Sequence, residues 1–169
     1  MNLISLFITI GILMAIVWQD FKYRAIWWFL PAGLFAAAFW YSVLLVPFRE
    51  LMIYFIFNLL VISFMMVVVY LWYSYKNRSF RLSHTGRAIG LGDVLYLPSL
   101  CLLFSPALFI LFLVAALLIT LVCSIAVKLV TKKDFLIPLA GALSLCLMVV
   151  LLAGSLGYIS LYQDPVMPY

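Results

Sequence analysis

"GRAIGLGDVLYLPSL", residues 86–100, decides how the rest of the chain is read. It sets Asp93 between a glycine-rich stretch and an apolar run. If that run is a membrane helix, a carboxylate stands at its mouth, where a charge is costly unless paired, hydrated or protonated. The surroundings settle the condition. Of 169 residues, 69% are hydrophobic and 9% charged, and the mean hydropathy is +1.30. Soluble domains carry about a quarter charged residues. Helices satisfy their own backbone hydrogen bonds in lipid, and the dyad alternation of a membrane β-barrel is missing. The expected fold is therefore an all-α, polytopic membrane bundle. One bundle uses the whole length, so residues 1–169 form a single domain with no separate soluble catalytic part.

Six apolar segments are long enough to be read as spans: about 3–19, 26–48, 51–75, 94–106, 107–127 and 135–159. The first lacks a basic start and a small-residue cleavage site, so it reads as a retained span rather than a signal peptide. Charge orients the bundle. Nine of the ten basic residues fall after spans one, three and five, and only Arg49 falls on the other side. The positive-inside rule places the nine in the cytoplasm and both termini outside. The expected location is the plasma membrane, with lipid as the surrounding partner and no nucleic acid.

Between Asp93 and Lys128 only 34 residues must supply two helices and a turn, expected at Ser105-Pro106. Such a cramped hairpin suggests a sunken GLGD turn lining a wet cavity. Gly90 and Gly92 suit a sharp bend and the close approach of another chain.

Three acids lie on the cytoplasmic side: Asp20, Asp93 and Asp134. Asp134, beside Lys132 and Lys133, reads as a helix N-cap. Asp20 closes span one and Asp93 opens span four, so a bundle brings both to one membrane edge. Their bland readings are an interfacial acid balanced by Lys22 and Arg24, and an N-cap. Set against these is the conjunction of two facing acids with no HExxH, GxSxG or Walker loop. A carboxylate pair sharing one proton activates water and protonates a leaving amine without a cofactor. Helix ends would divide the roles: a helix C-terminus favours the protonated Asp20, and an N-terminus the ionised Asp93. His84 is the only histidine, and Cys101, Cys123 and Cys146 read as buried apolar residues, so neither metal nor cofactor is expected.

At these residues the chain resembles a known family. GLGD at 90–93 matches the GxGD motif of intramembrane aspartyl proteases. Asp20, with Lys22, Arg24 and Ile26 behind it, is similar to the first-aspartate segment of type IV prepilin and archaeal preflagellin peptidases. "IPLAGALSL" at 137–145 resembles the start of that family's last conserved helix. The resemblance implies an aspartic endopeptidase that removes the leader of prepilin-like membrane precursors at the cytoplasmic face, with Asp20 and Asp93 catalytic. Three features depart from the pattern: Trp27-Trp28 replaces Pro-Asn, Leu95 replaces a lysine, and the cysteine-containing cytoplasmic domain is missing. The chain resembles the short, cleavage-only form. Other readings are a presenilin-like or signal-peptide-peptidase-like protease, a membrane assembly factor, and a proton-coupled transporter. The presenilin group has a Pro-Ala-Leu motif beside its aspartates, whereas Pro106-Ala107-Leu108 here is expected on the outer side.

Overall fold

The computed structural model describes residues 3–23, 26–77, 91–131, 139–158 and 160–162. Six helices and no strand occur among them: α1 Leu3–Tyr23, α2 Phe29–Val43, α3 Phe48–Asn77, α4 Leu91–Cys101, α5 Pro106–Thr131 and α6 Leu139–Ser155. They correspond one to one with the six apolar segments. Three of them, α1, α3 and α5, are long and apolar enough to cross a membrane, while α2 and α6 are apolar but shorter. Their outer faces carry large apolar side chains such as Phe64, Leu129 and Val149, each about 70% exposed. Water would not tolerate such a surface on a monomer; lipid does.

Contacts at the helix ends fix the directions. Short connections make α2 run back along α1, and α3 back along α2. The end of α1 meets the start of α6, since the Gly141 N–H donates to Asp20. α4 follows α2: Ser99 donates to the Pro31 carbonyl near the start of α2, and Ser42 near its end donates to the Leu102 carbonyl. Ser105, just before α5, donates its N–H to the Leu161 carbonyl beyond α6. Hence α1, α3 and α5 run one way and α2, α4 and α6 the other. α4 is the inner element, packed on α2, α3 and α6.

α4 is also where the expected spans fail. At about 1.5 Å per residue, its 11 residues cover only about 16 Å. Pro98 inside it lacks an N–H and weakens the ladder. The chain then leaves the helix at Leu102, and α5 begins with Pro106, a residue suited to a first helical position. The break lies inside the protein, with Leu102, Leu103, Phe104 and Ser105 all buried. Buried non-helical backbone must find partners, and three other segments supply them. Asn58 of α3 donates Nδ2 to the carbonyls of Cys101 and Phe104, both at 3.0 Å. The Ser42 hydroxyl reaches the Leu102 carbonyl at 2.7 Å. Tyr162 donates to Ser42 Oγ at 2.7 Å, and burial pushes its phenol above the ordinary tyrosine value, so it remains a donor. The expected turn at Ser105-Pro106 is therefore present, and it is buried.

Two smaller expectations also shift. α1 continues to Tyr23, so Asp20 lies within its last turn rather than closing it. Of the three cysteines, all free, Cys101 is buried and Cys123 lies exposed on α5.

Candidate active site

Asp20 is a buried carboxylate, 6% exposed, on a helix whose opposite face carries exposed Trp18. Its Oδ2 accepts the Gly141 N–H at 2.6 Å. Gly141 stands in the first turn of α6, where backbone N–H groups have no partner within the helix. Partial positive charge gathers at such a start. The Asp20 carboxyl of α1 thus serves as the acceptor for the open start of α6. The division of roles drawn from the end of α1 alone omitted this second helix end, of opposite sign, on the same side chain.

The neighbouring residues hold the corner closed. Gln19 is also buried, and its Oε1 accepts the Trp27 N–H at 3.2 Å, tying the start of α2 to the end of α1. The Lys22 ammonium lies over the Trp18 ring, 4.5 Å from its centroid, with the Tyr23 ring at 5.1 Å. Such stacking suits the cation and leaves its head towards the polar edge of the bundle.

α4 begins at the same end of the bundle as this corner. The Tyr96 hydroxyl comes close to Ser144 of α6 without reaching hydrogen-bond geometry, and both hydroxyls are buried without a partner. The two helices run in the same direction, so the start of α4 lies towards the same end of the bundle as the start of α6. Asp93 lies in the first turn of α4, which starts at Leu91. Gly92 is therefore inside the helix rather than in a turn ahead of it. For Asp93 the backbone is described and the side chain is not; Gly90, Arg24, His84 and Asp134 lie outside the described residues. Among the described residues no three His, Cys, Asp or Glu side chains come together.

A cavity of about 230 Å³ opens next to this corner. Tyr96 and Leu97 of α4 and Leu139 and Leu143 of α6 line one side of it, and residues of α3 and α5 line the other. Its walls are apolar. Pro106-Ala107-Leu108 begins α5 next to the buried break, at the end of the bundle away from Asp20.

Sequence reasoning missed Gly141. The signal was a glycine early in an apolar helix, where close approach of another element is the usual reason. Comparison with protein-family models, curated proteins and solved structures returns no match.

Proposed function

We propose that the chain is an intramembrane aspartyl endopeptidase that removes the leader of prepilin-like precursors at the cytoplasmic face of the plasma membrane. One observation carries the reading: a buried carboxylate, held on the first turn of a second helix, at the end of the bundle where α4 also begins. A structural acid at a membrane edge gains most by turning to water, whereas Asp20 turns inward. In the proposed reaction one carboxylate of the pair takes a proton from water, which attacks the scissile carbonyl. The other gives its proton to the departing amine, and the pair ends with one proton, as it began. No metal or cofactor takes part.

The test is cleavage of short-leader membrane precursors co-inserted with the protein in vesicles. The expected result is a shortened precursor with a single new N-terminus by mass spectrometry, at a rate unchanged by chelators. Intact precursors throughout would favour an assembly factor or a transporter.

The orientation is checked separately. In a cysteine-free background, Lys22→Cys is expected to react with an impermeant thiol reagent only from the cytoplasm, and Arg49→Cys only from outside. The opposite pattern would turn the bundle over and place Asp20 at the outer face.

A further inference from the structure

We infer that Gly141 is the positioning residue of the site, its main-chain N–H holding Asp20 Oδ2 so that Oδ1 remains for the reaction. The inference rests on the proposed peptidase reading, but its geometry stands apart from it. Three observations converge on this position. The N–H to Oδ2 distance is 2.6 Å, at the short end for a charge-assisted bond. Gly141 lies in the first turn of α6, where its N–H has no partner inside the helix. A Cβ at residue 141 would lie 2.9 Å from Phe21 Cε2 and 3.1 Å from Asp20 Oδ2. A methyl group there would press on the Phe21 ring and on the Asp20 carboxyl, so one of them would have to shift.

The same first turn makes Gly141 a better holder than a side chain could be. A backbone N–H has no rotamers, and its direction is set by the axis of α6. The carboxylate rotation is fixed by a rigid element, the arrangement that keeps reacting atoms aligned. Gly33 offers the contrast. A Cβ there would meet only Ile12 Cδ1 at 3.8 Å, and no acid is near.

The experiment has an activity arm and a spectroscopic arm. Gly141→Ala is expected to lower kcat by about 100-fold with KM unchanged, because a misplacement of about 1 Å is enough for such a loss; Gly33→Ala is expected to cleave at the wild-type rate. The second arm uses the otherwise unsubstituted protein, so it holds even if Gly141→Ala fails to fold. Among the eight glycines, only Gly33, Gly141 and Gly154 follow alanine. Carbonyl-labelled alanine with ¹⁵N-glycine therefore isolates three amide signals, which Gly33→Ala and Gly154→Ala assign. The Gly141 amide proton is expected furthest downfield, and Asp20→Asn should move it while leaving Gly33 in place. A Gly141 signal indifferent to Asp20→Asn, or full kcat in a folded Gly141→Ala, overturns the inference. Wild-type cleavage by Asp20→Asn, with the Gly141 signal moved, instead defeats the catalytic role of Asp20 in the proposed reading and leaves the Gly141–Asp20 contact intact.

Discussion

Asparagine in place of Asp20 or of Asp93 is expected to abolish precursor cleavage while the bundle stays folded. The loss should reach about 10²–10⁴-fold for either, the range that general acid–base groups contribute. At Asp20 the structure says why folding survives. The amide oxygen of asparagine can accept the Gly141 N–H as the carboxylate oxygen does, so α1 and α6 stay joined. What asparagine cannot do is gain and lose a proton. Asp134→Asn should remain within a few-fold of wild type. The readouts are the cleavage rate in vesicles and the unfolding midpoint of each variant in the same detergent. Normal cleavage by Asp20→Asn, with an unchanged midpoint, would mean that the acid is structural.

The largest loss of stability is expected from Asn58→Ala. Asn58 is fully buried, and its Nδ2 serves the carbonyls of Cys101 and Phe104 together. Alanine leaves both carbonyls in an apolar interior with no donor. Each such orphan costs about 1–3 kcal/mol, so the pair should cost about 2–6 kcal/mol, less whatever a water entering the gap restores. Asn58→Asp, which when ionised would place a second acceptor against two carbonyls, should be no better. Ser63→Ala, one helix turn further along α3, removes only an exposed bond to the Leu59 carbonyl and should be nearly silent. Equilibrium unfolding in mild detergent would rank the three. An Asn58→Ala variant as stable as Ser63→Ala would show that the break needs no side-chain partner.

The six helices were legible because each is an apolar run bounded by polar or helix-breaking residues. What the runs could not give was depth. α4 reads as a continuation into Leu102–Phe104 because those residues are as apolar as any membrane span. The chain stops being helical there because side chains from elsewhere accept the loose backbone. Asn58 was the available clue: an amide about a third of the way along a 30-residue helix, amid apolar residues, has to have a partner. Asp20 was found from its own helix, but its contact with Gly141 is set by how α1 and α6 cross, across 121 residues of chain. No local pattern encodes that distance. Gly92 was assigned to a turn on the strength of its residue type, and the helix simply begins one residue earlier.

The buried end of α4 also constrains how the protein is made. A helix of about half a bilayer has no resting place of its own in lipid, so an insertion machinery cannot release it as it releases α1 or α3. Two of its anchors, Ser42 and Asn58, are synthesised before it, but Leu161 and Tyr162 emerge some sixty residues later. Until then the segment 91–105 must shelter against α2 and α3, incompletely satisfied. The corner holding Asp20 waits in the same way for Gly141. Both the buried break and the Asp20 corner therefore stay open until α6 and the residues after it have been made.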